Sequence, residues 1–248
     1  MHSNSIMQEA DFEYPKLDEA HLNALKASLN MNDISFPSEN GSTQRLEETI
    51  KKFLNINYTL ATNNGTSAIH SALFAVGTGD IPSESLKEKE VLCPSYTWWA
   101  SALPAAHLGA KVNFIEINPV TLLIDLEDLE RKISSKTAAI VIPHLWGQVC
   151  DMEQLHKLAL RNENIPIIED ASHVFGAKWK YKHIGTHFDI GCFSMQAGKP
   201  LCAGEGGLAV TNNKEYYDRM LLLGHYERAR KALEGKSIST TGLGFKYR

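Results

Sequence analysis

A lysine set between two chain breakers, Gly198-Lys199-Pro200, follows an apolar run ending at Phe193 and Ser194 and precedes a second apolar run from Leu208 to Val210. Gly198 and Pro200 keep Lys199 off the solvated face of a regular helix, where most lysines sit. An amine held at the end of a buried strand has the chemistry to form an imine with a carbonyl cofactor. Taken alone, the pattern more readily describes a loop lysine that points into water. Residues far away in the chain decide between the two.

Asp170 closes the run Ile167-Ile168-Glu169-Asp170. A carboxylate at a buried strand end needs a cation or hydrogen-bond donors, because an unpaired buried charge is too costly. A protonated pyridine nitrogen is one such partner; a helix cap or an ion pair is the plainer alternative. His173, three residues on, is a secondary candidate for the same cleft, since a lone histidine is more often structural. Gly65-Thr66-Ser67 follows the run YTLAT and opens an apolar helical pattern. There the free amides of a helix start, its dipole and two hydroxyls converge where a phosphate can sit, and Gly65 permits a close backbone approach. The stretch is neither a Walker loop nor a dinucleotide fingerprint, and simple capping by Thr66 or Ser67 is the alternative.

The elements that must position these residues alternate between strand and helix periodicity. A helix is expected over Leu17 to Leu29, followed by the loop MNDISFPSENGS, and together these read as an N-terminal arm over residues 1–41. A second helix starts at Ser42. The strand Tyr58–Thr62 and the Gly-Thr-Ser helix follow, and then GTGDIPSESLKEKE reads as an exposed loop with at most one helical turn. After the strand Val91–Tyr96, a helix opened by Thr97 carries Trp98 and Trp99 in its first turn. Adjacent positions cannot share one helix face, so one indole is expected to pack inward while the other looks into a cleft, with core or dimer-interface packing of both the plainer alternative. Strands at Lys111–Ile117, Thr137–Leu145 and from Ile165, separated by helices near Leu126–Ile133 and Met152–Asn162, imply an α/β fold. Its expected form is a three-layer sandwich with a mostly parallel sheet, whose site lies beyond the carboxyl ends of the strands. FGAKWKYKHIGTHFD reads as a hairpin, and His183, His187 and Asp189 within it read as solvated surface rather than a metal site.

Composition narrows the classes. The chain has 248 residues, 43% hydrophobic and 22% charged, with a net charge of −4 and no block of like charge suited to nucleic acid. Neither a basic, apolar leader nor an apolar run of membrane-spanning length is visible, so a cytoplasmic location is expected. Cys93, Cys150, Cys192 and Cys202 lack CxxC spacing and read as reduced, buried thiols.

The ordered set Gly65-Thr66-Ser67, the tryptophan pair, Asp170, His173, Ser194 and Lys199 contains the parts that a pyridoxal phosphate site requires. Through NNGTSAIHSAL, CPSYTWWASA, PHLWGQVCDM, IIEDASHVFGA and FSMQAGKPLCAGEGGLAVT, the chain from about Ser42 resembles the DegT/StrS sugar aminotransferases. These belong to the aspartate aminotransferase superfamily of pyridoxal 5'-phosphate enzymes. The resemblance implies that Lys199 binds the cofactor, Asp170 its ring nitrogen, and Ser194 with Thr66 and Ser67 its phosphate, with Gly65 in the same cofactor-binding turn. It matches Trp98 to the ring-stacking aromatic and His173 to the polar residue beside the phenolic oxygen. Related sugar dehydratases carry histidine in place of the lysine, so Lys199 argues for transamination.

The activity so implied is transfer of an amino group from glutamate or glutamine to a keto-sugar or keto-cyclitol, by a homodimer. Phrases such as FSMQ, ASHVFGA and LGHYER are closer to the inosose aminotransferase branch. A dehydratase or another pyridoxal enzyme of the same fold is one rival; a silent cofactor-binding fragment is the other. Three departures from the family pattern stand out: the inserted SESLKEKE, Lys246 where an asparagine is usual, and the expectation that residues 42–248 form the large domain without the family's smaller C-terminal one.

Overall fold

The computed structural model describes residues 17–31, 33, 41–162, 165–232, 234 and 245–247. Most of the expected arm loop, residues 34–40, and part of the GLGFKYR segment lie outside them. The N-terminal helix α1 (Glu19–Asn30) is present, capped by Asp18, and buries none of its residues. Then come α2 (Ser42–Leu54), β1 (Tyr58–Thr62), α3 (Gly65–Val76), β2 (Glu90–Pro94), α4 (Leu103–His107), β3 (Lys111–Ile115), α5 (Leu126–Lys132), β4 (Thr137–Pro143), α6 (Met152–Arg161) and β5 (Ile167–Asp170). The short pair β6 (Lys178–Trp179) and β7 (Lys182–His183) precedes β8 (Ile190–Ser194), β9 (Gly207–Thr211), α7 (Lys214–Leu222) and α8 (Tyr226–Ala232).

Seven strands form one sheet in the order β1-β9-β8-β5-β4-β2-β3. β8, β5, β4, β2 and β3 pair in parallel, while β9 runs antiparallel to both β1 and β8. The expected mostly parallel sheet is therefore present. Because β9 alone is reversed, it begins at the edge where β1, β8, β5, β4 and β2 end. The connection from Ser194 to Gly207, which carries Lys199, thus spans the carboxyl edge of the sheet.

Alternation of side chains across the strands builds a core on each face. On one face Leu92, Ile140, Ile142, Ile167 and Phe193 pack with Leu54 of α2, Leu129 of α5 and Leu155 of α6. On the other, Val91, Val141, Ile168, Cys192 and Ala209 pack with Ile69 and Leu73 of α3, Ala105 of α4 and Met220 of α7. This is the expected three-layer arrangement. The alternation also sends neighbouring carboxylates apart. Asp170 shares the α3 side with Ile168, whereas Glu169 points to the other side, where the amides of Gly185, His187 and Phe188 donate to it.

Three local expectations are corrected. No α-helix starts at Thr97: a 3-10 turn covers Trp99–Ser101, and α4 begins at Leu103 with Pro104 in its first turn. A helix begun at Thr97 would drive the Pro104 ring into the carbonyl of Ala100, whereas a proline at a helix start costs nothing. Consequently neither indole packs inward; Trp98 is 67% and Trp99 64% exposed. The segment before β2 is not wholly exposed, since Ser85 and Leu86 are buried. In the β6–β7 hairpin, Lys180 and Tyr181 take the paired left-handed conformation of a tight turn, yet His183 is buried against Phe53 instead of lying in solvent. Cys93, Cys150 and Cys192 are buried free thiols, and Cys202 is half-buried and free. No helix among the described residues is long and apolar enough to cross a membrane.

Candidate active site

Asp170 ends β5 at the centre of the carboxyl edge and is 8% exposed. Both of its oxygens are held. Ser172 donates its hydroxyl to Oδ1 at 2.6 Å and its amide at 3.2 Å, and Ser101 donates its hydroxyl to Oδ2 at 2.7 Å. The Ser101 hydroxyl also meets Thr97 Oγ1 at 2.9 Å, which ties the tryptophan loop to the carboxylate. Ser172 in turn accepts the backbone N–H of Ser194 at 3.1 Å, at the end of the neighbouring β8.

Ser194 lies against the start of α3. A Cβ on Gly65 would sit 2.8 Å from Ser194 Cβ and 3.1 Å from its Cα, so only glycine lets this helix reach β8. The close approach foreseen for Gly65 is thus to protein backbone. The cap is neither Thr66 nor Ser67. Asn64 is the N-cap, and its Oδ1 accepts the amide of Ser67 at 2.8 Å and its hydroxyl at 2.9 Å. That leaves the amides of Gly65 and Thr66, at the first two helical positions, without an intrahelical partner, and Thr66 exposed beside them. A helix start of this kind, with the Ser194 hydroxyl next to it, has the donor chemistry of an anion site.

Lys199 sits in a loop closed on itself by backbone bonds. Met195 donates to the Gly206 carbonyl and accepts from the Ala203 amide, both at 2.8 Å, and the Lys199 amide donates to the Gln196 carbonyl at 2.9 Å. A Cβ on Gly206 would meet Met195, and one on Gly207 would lie 2.2 Å from the Asn64 carbonyl oxygen. The glycine return thus fixes the lysine loop against the α3 cap. Lys199 is half-buried, and its Nζ lies 2.6 Å from His173 Nε2. Burial holds the lysine below the ordinary amine range, and the Asp170 carboxylate opposes that shift. His173 is likewise lowered, by burial first and then by the Lys199 charge.

The structure therefore brings Gly65, Thr66, Ser67, Asp170, His173, Ser194 and Lys199 to one edge, linked by contacts. Trp98 stands apart. Its ring contact among the described residues is with Trp99, at 5.9 Å, and its link to the centre runs through Thr97 and Ser101. The aromatic that touches the centre is Trp146, whose ring lies 5.3 Å from His173 and whose amide donates to His173 Nδ1 at 3.2 Å. Sequence reasoning missed Trp146, Ser101, Ser172 and Asn64. For Ser172 the spacing Asp-x-Ser, a side chain that closes a turn on its own neighbour, was the available signal.

Residues 15–248 match the model of the DegT/DnrJ/EryC1/StrS aminotransferase family. The GDP-perosamine synthase of Escherichia coli O157:H7 is 38% identical over 184 residues, which is 74% of this chain and 48% of that protein. The L-glutamine:2-deoxy-scyllo-inosose aminotransferase of Micromonospora echinospora is 37% identical over 172 residues, 68% of this chain and 39% of that one. Among solved structures, that of 3-amino-5-hydroxybenzoic acid synthase superposes with a TM-score of 0.76 at 29% identity, covering 85% of this chain and 53% of its own. The chain spans about half the length, or less, of these curated relatives. With a match that runs through α1, the whole sheet and the lysine loop, this chain belongs to the DegT/DnrJ/EryC1/StrS aminotransferase family.

Proposed function

We propose that this chain is the cofactor-binding part of a pyridoxal phosphate-dependent aminotransferase that moves an amino group from glutamate or glutamine to a keto-sugar or keto-cyclitol. The observation that carries the reading is the convergence, at one sheet edge, of a half-buried lysine, a hydrogen-bonded carboxylate and an open helix start. The names of the relatives, a perosamine synthase and a glutamine-dependent inosose aminotransferase, support the acceptor and donor classes.

The donor set fits the group. Lys199 would hold it through Nζ, Asp170 would face the ring nitrogen, and Gly65, Thr66, Ser67 and Ser194 would take the phosphate. Trp98 is assigned to the ring face and His173 to the phenolic oxygen. When bound, pyridoxal phosphate supplies an aldehyde for the donor amine and a conjugated ring that takes up the electron pair released at Cα. Asp170, fixed by Ser101 and Ser172, would present its carboxylate in one direction and so favour a protonated ring nitrogen. The Lys199 Nζ would hold and move the proton at the reacting carbon. The exposed Tyr96, Trp98 and Trp99 beyond β2 support a homodimer that covers this apolar surface. The free thiols fit the reducing cytoplasm.

The test is to add pyridoxal phosphate to the purified chain, record its visible absorption, and locate the borohydride-reduced adduct by mass spectrometry. Adduct on Lys199 that disappears in Lys199→Ala is expected. Adduct elsewhere, or none, overturns the assignment. Incubation with glutamate or glutamine and a keto-sugar then separates an aminated product from a dehydrated one.

A further inference from the structure

We infer that the backbone N–H of Trp146 fixes His173 as its Nε2–H tautomer, and that His173 thereby stabilises the neutral-amine form of Lys199 relative to its ammonium in the cofactor-free protein. The inference rests on the reading of Lys199 as the cofactor lysine and adds what prepares that lysine to attack a carbonyl carbon.

A backbone amide can only donate. With Trp146 N 3.2 Å from His173 Nδ1, that ring nitrogen presents its lone pair, and the single proton of a neutral imidazole must then be on Nε2. Nε2 lies 2.6 Å from Lys199 Nζ, a distance that accommodates one hydrogen between the two nitrogens. Since Nε2 supplies that hydrogen, Nζ must accept it. An ammonium has no lone pair, so the contact selects the free amine. The reverse arrangement, an ammonium donating to Nε2, would put the imidazole proton on Nδ1 and set it against the Trp146 N–H. An imidazolium would meet the same clash.

The loop after β4 is built to aim that amide. Trp146 and Gly147 take successive left-handed conformations, with φ of 57° and 80°, and the Gln148 amide closes the turn on the Leu145 carbonyl at 2.8 Å. A left-handed conformation costs a residue with a Cβ about 1–2 kcal/mol. The bond to His173 and the indole packed over the imidazole offset it. Asp170 is the charged group that acts on both Lys199 and His173, and its carboxylate favours their cationic forms, so the tautomer opposes it. Forming the amine breaks one N–H bond, and its proton leaves to solvent.

The test is nitrogen NMR on cofactor-free protein carrying labelled histidine and lysine, with Lys199 assigned by Lys199→Arg. The expected result is an Nε2–H tautomer for His173 and a Lys199 midpoint about one pH unit or more below that of an exposed lysine. His173→Gln, whose amide N–H donates at the same reach, keeps that midpoint; His173→Met raises it by about one pH unit. Trp146→Gly retains the amide and tolerates the turn, so the tautomer stays. An Nδ1–H tautomer, an imidazolium, or an unmoved midpoint in His173→Met overturns the inference. Adduct formation with pyridoxal phosphate is read separately. An adduct together with the wrong tautomer sinks this inference alone, whereas the right tautomer without an adduct sinks the proposed function and leaves the tautomer lock standing.

Discussion

Ser172 donates its hydroxyl to Asp170 Oδ1 at 2.6 Å while receiving the Ser194 amide at 3.1 Å, so one side chain couples the end of β5 to the end of β8. The carboxylate and the hydroxyl beside the α3 start are thereby held at fixed separation. Ser172→Ala removes a donor from the carboxylate and leaves the Ser194 amide without its acceptor. A loss of about 1–2 kcal/mol in unfolding free energy is expected, measured by urea titration. Affinity for pyridoxal phosphate, followed by absorbance, should fall about tenfold if a similar free energy is lost on binding. An unchanged affinity would show that Ser101 and the backbone amide of residue 172 suffice to orient Asp170.

Gly65→Ala tests the contact between α3 and β8. Its new Cβ would fall 2.8 Å from Ser194 Cβ, closer than real Cβ atoms approach, so the helix start or the strand end must move. Overpacking of this kind costs about 1–3 kcal/mol, and here the displacement falls on the residues assigned to the phosphate. Lower thermal stability together with weaker cofactor binding is expected. Because one of the clashing atoms is a side-chain carbon, adding Ser194→Gly should restore part of the stability, whereas the missing hydroxyl should leave affinity low. A double mutant no more stable than Gly65→Ala would place the strain elsewhere.

Much of the sheet edge was legible because its signals are local. The breakers around Lys199, the apolar run before Asp170 and the strand-to-helix junction at Gly65 each occupy a few consecutive residues, and period-two and 3.6-residue patterns placed their elements. The cap at Asn64 was not legible, since Asn63, Asn64, Thr66 and Ser67 all have capping side chains and only the path of the backbone chooses among them. The tryptophan loop was misread for a different reason. Helical periodicity over TWWASALPAAH outweighed Pro104, whose ring forbids the helix from starting earlier. Trp146 escaped notice because its role belongs to its backbone amide, which every residue but proline possesses. Contacts between distant segments, such as His70 with Tyr247, leave no pattern in either segment.

The histidine of that last contact is expected to make the fold sensitive to acid. His70, buried on α3, has its Nδ1 2.6 Å from Tyr247 Oη, and the Tyr247 carbonyl accepts the Asn63 amide at 3.0 Å, just ahead of the α3 cap. Burial, with a smaller push from His107, lowers the imidazole from 6.5 to about 4. The unfolded chain therefore binds a proton at a pH where the folded one does not. The neutral histidine contributes its full stability above pH 6.5, and that contribution is lost as pH falls from about 6.5 through about 4. The shift corresponds to about 3 kcal/mol. Unfolding titrations at pH 7 and pH 4.5 should show this loss, with faster amide exchange at Asn63 at the lower pH. His70→Gln can still bond the Tyr247 hydroxyl but does not titrate, so its stability should change less across the same interval. Equal acid sensitivity in His70→Gln would assign the loss to other groups and leave the His70–Tyr247 contact without a part in it.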